Sequence, residues 1–499
     1  MASITFFTPN LRGMKVEAVA LMLLAIASTL VLSNWLAQKK WLPLPIARKV
    51  LHIVGVGACT VALEFFTNVR LLQVLVAGFV ILLLCAVHFN WIGLNRGPRK
   101  SWGIALFPLA YFILLLAFAP LQPWLIVYPM AILTLADAAA AVSGEVWARH
   151  FFHISADRKS WLGSTCFAAV SFLILGFLPF CGISALQMPV VAEYGLVPWL
   201  GISACMALVL AAAEASCSKG WDNFIVPLLA AWLLHMALLP AANVLLQLPV
   251  GIILSVAVAW LAHGRKWLST DGAVVAALLG VVVWLAGGWL MAAPLVAFFV
   301  LGSLLGKLPA KAALATDEKH QKPRDWQQVL CNGGVAGLCA VGWGLTGGEQ
   351  YLLAVYASMA VCLADTCASE VGMRYGGRPM DILRIKPLPV GVSGGISWIG
   401  SLGGLLGAAV MALLAFGMAP YLSHSLGVLV LAGVAGMLLD SLLGSAYQAQ
   451  YNAAGQPSDV PQKNLPAVLQ KGRAWVTNDL VNLLSNIVVT AGVVYFALR

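Results

Sequence analysis

Long apolar runs constrain this chain more than any other feature. Roughly sixteen stretches of about 20 apolar residues follow one another, and runs of that length cross a bilayer as helices. Their cores are 17–36, 50–66, 71–90, 103–120, 124–144, 161–180, 198–217 and 224–241, then 247–263, 272–287, 288–305, 328–345, 350–370, 394–416, 425–445 and 476–497. In lipid every backbone group must find its partner inside the chain, which selects helices. Only 10% of residues are charged, against about 25% in soluble domains, so a water-wetted surface is excluded. The expected fold class is all-α: a polytopic membrane protein with about 16 transmembrane helices. The first run lacks a short apolar core followed by a small-residue cleavage site, so it reads as a span rather than a leader. The ten cysteines fall mostly in or beside apolar runs with no C-x-x-C pair, which predicts packed thiols rather than a disulfide framework or zinc site.

Charge fixes the orientation. Of the 29 basic residues, all but Arg12, Lys15, Arg70 and Arg499 fall in loops that follow odd-numbered runs. The positive-inside rule places those loops in the cytoplasm and both termini outside. The net charge of +10 is then a basic cytoplasmic face, and nucleic acid is not an expected partner. Of the 19 acidic residues, only Glu17, Glu64, Glu193 and Glu349 fall on the outer side.

The polar residues recur in order. LADAAAAVSGE (135–145) and LADTCASEVG (363–372) each close an apolar run, with Asp137 seven residues before Gly144 and Asp365 seven before Gly372. Lys159 follows in DRKSWLGS (157–164) and Lys386 in KPLPVGVSGG (386–395). Glu214 then closes one run and Asp440 another, while Asp222-Asn223 and Asn478-Asp479 open the runs after them. An even number of spans separates Asp137 from Asp365, so the two halves point the same way. The expected organisation is two parallel eight-helix repeats, 1–246 and 247–499, joined near 246–249.

Carboxylates in or beside lipid are costly unless paired, hydrated or bound to metal, although an Asp at a helix end also serves as a cap. Asp137, Glu214, Asp222, Asp365, Asp440 and Asp479 are the expected metal ligands. Glu370 lies on another face of an ideal helix and joins the second set if the helix unwinds near Gly372. Lys159 with Ser160, Gly163 and Ser164 before a helix resembles a phosphate cradle, because helix N-terminal amides and a point charge attract anions. Gly391, Ser393, Gly394 and Gly395 beside Lys386 have the same chemistry. Arg48, Lys49 and His52 begin the second run, with Arg48 and His52 one turn apart. Asn223, Arg324, Asn332, Asn478 and Asn482 complete the candidate nucleotide- and phosphate-binding set. Anionic oxygens beside lysine suit Mg²⁺ shared with a nucleotide, and phosphoryl transfer needs little beyond metal, cationic clamps and positioning. The cytoplasm supplies nucleotide and the bilayer can supply a lipid acceptor.

At these residues the chain resembles two families in series. Residues from about 45 to 245 resemble the phytol kinase and dolichol kinase family, through RKVLH, LADAAAAVSG, KSWLGS and EASCSKGWDNFIVPL. Residues from about 265 to 499 resemble the phytyl-phosphate kinase family, through LSTDGAVVAALLG, VLCNGG, LADTCASEVG, KPLPVGVSGGIS, LLDSLLGSAYQAQY and WVTNDLVN. The resemblance implies phosphorylation of an isoprenoid alcohol such as phytol, then of its monophosphate, with CTP or another nucleoside triphosphate and Mg²⁺. Asp137 and Lys159, then Asp365 and Lys386, would be the catalytic residues, facing the cytoplasm from a bacterial inner membrane. Two other readings stay open: a secondary transporter built from parallel repeats, and an enzyme with one active half and one scaffold half.

Overall fold

The computed structural model describes residues 53–59, 69–89, 102–119, 122–154, 157–181, 188–239, 243–307, 322–453, 456–459 and 468–498, with a few single positions before 69. The expected span at 17–36, and with it Arg48, Lys49 and His52, lies outside the described residues. Two compact units divide the chain, Met1–Leu248 and Pro249–Arg499.

In the first unit the helices are α1 (Val69–His88), α2 (Gly103–Phe118), α3 (Trp124–Val146), α4 (Trp161–Phe177), the short α5 (Pro189–Tyr194), α6 (Leu196–Ser216) and α7 (Asp222–Ala237). Helix α8 (Val244–Gly264) contains the division between the units. α3 is the most buried of the unit's long helices and packs against α4 and α7, while α2 packs on α1 and α7. Tyr111, Leu115, Ile126, Met130 and Leu133 build the core where these helices meet. A two-stranded hairpin, β1 (Phe151–His153) with β2 (Arg158–Ser160), fills the turn between α3 and α4 and sets Phe152 opposite Lys159.

The second unit continues with α9 (Thr270–Gly287), α10 (Trp289–Gly306), α11 (Trp326–Thr346), α12 (Glu349–Tyr375), α13 (Trp398–Met418), α14 (Leu426–Tyr447) and α15 (Asn478–Ala497). Its most buried helix is α12, packed by α10, α11, α13, α14 and α15. Glycines 403, 404, 407 and 433 are buried, and their small faces let α13 and α14 lie directly on the backbone carbonyls of α12 at Cys367, Ala364, Leu363 and Ala360, as membrane helices do. Two small sheets interrupt the helices: β3 (Met380–Asp381) with β4 (Gly395–Ile396), and β5 (Gln450–Ala453) between β6 (Gln456–Ser458) and β7 (Val468–Lys471).

Twelve described helices are long and apolar enough to cross a membrane, and Gly103–Phe118 and Asp222–Ala237 are shorter apolar helices. The all-α expectation is corrected in one respect, since small antiparallel sheets occupy three connections. Two boundaries also move. The run expected at 394–416 begins its helix at Trp398, because 394–397 form a turn, a strand and a cap. The run expected to end at 370 stays helical to Tyr375, so the helix does not unwind at Gly372. None of the ten cysteines forms a disulfide.

Candidate functional sites

The first site begins with a close helix crossing. Asp137, Ala140 and Gly144 share one face of α3 at i, i+3 and i+7. The N-terminus of α4 lies against that face. Ser160 caps α4 by accepting from the Gly163 amide at 3.1 Å. A Cβ on Gly163 would stand 2.9 Å from the Ala140 carbonyl oxygen, and one on Gly144 would stand 2.8 Å from Ser160 Oγ. Only glycines allow this approach, and it fixes Lys159, the residue before the cap, near the buried Asp137 of α3.

Three carboxylates surround that lysine. Its ammonium donates to Glu214 Oε1 at the end of α6 and lies 3.6 Å from Asp222 Oδ2 at the start of α7. Asp137 adds its charge to the same ammonium. Asp137 and Glu214 are each only 6% exposed. Burial by itself would lower the lysine pKa, but Glu214, Asp222 and Asp137 overcome it and hold the group above its ordinary value. The turn that leads into Asp222 is tied in place by Asp157, whose carboxylate accepts from the Lys219 amide at 2.8 Å. Asn223 donates to the Gly103 carbonyl at 3.1 Å and so fastens α7 to α2. Ser164 Oγ is buried with no hydrogen-bond partner among the described residues.

The same crossing recurs in the second unit. Asp365, Ala368 and Gly372 share a face of α12, and Ser397 caps α13 by accepting from the Gly400 amide at 3.2 Å. A Cβ on Gly400 would stand 2.9 Å from the Ala368 carbonyl oxygen, and one on Gly372 would stand 3.3 Å from Ser397 Oγ. This register is legible in the chain as SWLGS at 160–164 and SWIGS at 397–401. It corrects the pairing of the two lysines. Ile396, not Lys386, holds the place that Lys159 holds in the first unit. Lys386 is exposed, and its carbonyl accepts from the Asp381 amide.

Around Asp365 the second unit gathers residues from four helices. Cys362 donates to the Asn332 carbonyl of α11 and accepts from Asn486 Nδ2 of α15, both at 3.2 Å. The charges of Asp365, Asp440 and Arg324 all act on that thiol, and Asp479 acts on Cys331 one turn of α11 before Gly334. Asn482, with its amide nitrogen turned toward α14, donates to Asp440 Oδ2 at 2.8 Å and to the Asn478 carbonyl at 3.1 Å. Asn332 bonds back to the Gln328 carbonyl at 2.9 Å. Glu370 is instead joined to Arg374, with its carboxylate beside Gly306 of α10. The expectation that helix unwinding brings Glu370 to Asp365 is therefore corrected, because α12 stays wound.

The glycine loop serves a different cluster. Gly391 and Gly394 take φ of 87° and 86°, which L side chains rarely adopt. Gly394 packs against Ser445, where a Cβ would meet backbone at 2.7 Å. Ser393 donates to Asp459 and receives Gln448 Nε2 at 2.7 Å, while its carbonyl receives Gln450 Nε2 at 3.3 Å. Gly395 pairs with Asp381 across β3–β4. Asp381 is 2% exposed and accepts from Ser445 Oγ at 2.6 Å and from the Leu383 and Arg384 amides at 2.9 and 3.0 Å. Arg384 and Lys471 approach the same carboxylate at 3.2 and 3.7 Å. Burial would raise this carboxyl, but the hydrogen bonds from Ser445, Arg384 and Leu383 hold it well below the usual carboxylate range. Asp157, Asp381, Asp459, Ser445, Gln448, Gln450 and Asn486 were not anticipated. The signal available was the odd polar density of SAYQAQYN directly after an apolar run.

The donor chemistry can be compared with what Mg²⁺ requires. Carboxylate and amide oxygens are hard ligands of the kind it takes, and both units supply them: Asp137, Glu214 and Asp222 in the first, Asp365, Asp440 and the amides of 478 and 482 in the second. Among the described residues, no three His, Cys, Asp or Glu side chains already stand close enough together to hold a metal ion. The chemical type fits; the first set is gathered around a lysine ammonium instead.

Comparison with known proteins places the chain in a family. Residues 253–490 match the model of the family described as integral membrane protein DUF92. The uncharacterized membrane protein MJ0933 of Methanocaldococcus jannaschii is 30% identical over 210 residues, 41% of this chain and 84% of that protein. Protein PGR of Arabidopsis thaliana is 29% identical over 224 residues, 40% of this chain and 77% of its own. Protein VTE6, chloroplastic, from the same plant is 27% identical over 229 residues, 44% of this chain and 62% of its own. No solved structure matches. With a relative matched at that identity over most of its length, and with the apolar helices described above, the chain belongs to the integral membrane protein DUF92 family.

Proposed function

We propose that the protein is a membrane phosphotransferase with about 16 spans in two parallel repeats, 1–246 and 247–499. In this reading the first repeat phosphorylates an isoprenoid alcohol of the phytol type, and the second phosphorylates the resulting monophosphate. The donor is CTP or another nucleoside triphosphate, and the sites face the cytoplasm of a bacterial inner membrane. One observation carries the reading: buried carboxylates from separate helices gather around a cation at helix ends, beside a serine-capped helix, in the Lys159 site. A transporter would place such groups near the midplane, between broken helices.

Mg²⁺, when bound with nucleotide, would be held by Asp137, Glu214 and Asp222 in the first unit and by Asp365, Asp440 and Asp479 in the second, neutralising charge on the transferring group. The chain's own residues do the rest. Lys159 stays protonated through its carboxylate neighbours and moves from Glu214 to the nucleotide phosphates. Asp137 Oδ accepts the hydroxyl proton of the attacking alcohol. In the second unit the acceptor oxygen is already anionic, so Asp365 orients rather than deprotonates.

The test is an assay of purified protein in lipid nanodiscs with each labelled nucleoside triphosphate and a panel of prenyl alcohols. Label should enter the lipid phase as monophosphate and then as diphosphate. No transfer from any nucleotide to any prenyl alcohol would remove the kinase reading in favour of transport.

A further inference from the structure

We infer that Arg324 is the residue through which the second unit recognises an acceptor already bearing a phosphate, an amphiphilic phosphomonoester with an apolar tail. This rests on the phosphotransferase reading above. The backbone of Arg324 is held from both sides by Trp267 and the LSTDG segment (268–272) that follows it, a motif to which that reading gives no role. Its amide donates to the Trp267 carbonyl at 3.0 Å. Its carbonyl accepts from the Ser269 amide at 3.0 Å and from Ser269 Oγ at 3.1 Å. A Cβ on Gly272 would overlap that carbonyl oxygen, so position 272 admits glycine alone.

The side chain runs inward from this clamp. Its guanidinium lies 5.7 and 5.8 Å from the ring centroids of Phe298 and Phe299 on α10. Nη2 comes within 3.1 Å of the place a Cβ on Gly302 would take. Among the described residues, no carboxylate or carbonyl accepts a hydrogen bond from it. Glu370 is near enough to be felt, but it is joined to Arg374, whose Nη2 also reaches the Gly306 carbonyl at 3.4 Å. Five N–H donors in a fixed fork are thus held, half-buried, beside aromatic faces with no acceptor among the described residues, and a charge shielded from water gains from a partner. A phosphate oxygen pair is the acceptor this fork fits best. Arg324 also acts on Cys362, as Asp365 and Asp440 do, so the fork belongs to the Asp365 site. The two phenyl rings make its surroundings lipid-like, which suits a phosphate carried on an apolar chain rather than on a nucleotide.

The experiment uses the full chain in nanodiscs without nucleotide and measures binding of dodecyl phosphate, dodecanol and CTP. Arg324→Met should lose at least about tenfold in affinity for dodecyl phosphate while dodecanol and CTP binding stay within twofold. Arg324→Lys should retain part of the phosphate affinity, and Gly272→Ala should weaken it with Arg324 still in place. Without ligand, Arg324→Met should melt no lower than wild type, because a half-buried charge with no acceptor among the described residues is replaced by an apolar side chain beside two phenyl rings. Dodecyl phosphate binding unchanged in Arg324→Met, a loss confined to CTP, or a clear fall in ligand-free melting temperature would each overturn the assignment. Arg324-dependent phosphate binding in a protein that turns over no nucleotide would keep this clamp and remove the kinase reading.

Discussion

Gly163 meets Ala140 with no room for a side chain: a Cβ on the glycine would stand 2.9 Å from the Ala140 carbonyl oxygen. The obstacle is helix backbone, which cannot swing aside. Gly163→Ala should therefore destabilise the first unit by about 1–3 kcal/mol and move Lys159 off its carboxylates. Gly400→Ala, facing Ala368 at the same 2.9 Å, should do the same to the second. Gly78→Ala, with nothing within 4 Å, should be neutral or slightly stabilising. Thermal melting of the three variants in nanodiscs checks this, and equal melting temperatures would contradict the crossing.

Lys159 supports a prediction about pH. Its folded pKa is raised, so its contribution is complete below the ordinary lysine value of about 10.4 and is lost only as pH rises through the still higher folded value. Between pH 7 and 10 the wild type should lose none of it. Lys159→Met leaves Glu214 buried without its cation and should cost about 3–5 kcal/mol throughout that range. A variant as stable as wild type at pH 8 would show that the ion cluster is not what the burial suggests.

For Asp381 the sign is opposite. A depressed carboxyl pKa gives stability that is present above the unfolded value of about 3.9 and is lost as pH falls through the lower folded one. Protection of the 380–397 loop should thus persist at pH 5. Asp381→Asn should cost about 1–3 kcal/mol and expose the bond after Arg384 to trypsin at neutral pH. Cleavage no faster than wild type would deny Asp381 this role.

The legible part of the sites was the ionisable part. Asp137, Glu214 and Asp365 stand out because each interrupts an apolar run, and a charge there needs a reason. Asp381, Asp459 and Gln448 do not stand out, since they sit in or beside polar connections where composition carries no contrast. The order of polar residues sets Lys386 opposite Lys159, but the segment that pairs β3 with β4 before Ser397 is longer than the hairpin before Ser160 and shifts the register. The Ser-Trp-x-Gly-Ser repeat would have set the register, because the cap and its close-packed glycine are the parts that geometry holds fixed. The three small sheets had no signal of their own, with strands of only two to four residues.

Orientation gives another test. The loop after α12 is basic and Lys386 is exposed there. On a cysteine-free background, Lys386→Cys should react with an impermeant thiol reagent only after cells are opened. Labelling from outside intact cells would invert the topology.

The central claim is a division of labour between two units, and product analysis of two variants tests it most directly. Lys159→Ala should fail to phosphorylate prenyl alcohol, with a loss of at least about 10²–10³ in rate, yet convert added prenyl monophosphate to diphosphate as wild type does. Asp365→Ala should do the reverse and accumulate monophosphate from alcohol and nucleotide. If both variants lose the same step, or if Asp365→Ala still releases diphosphate at the wild-type rate, the two units do not divide the chemistry in this way.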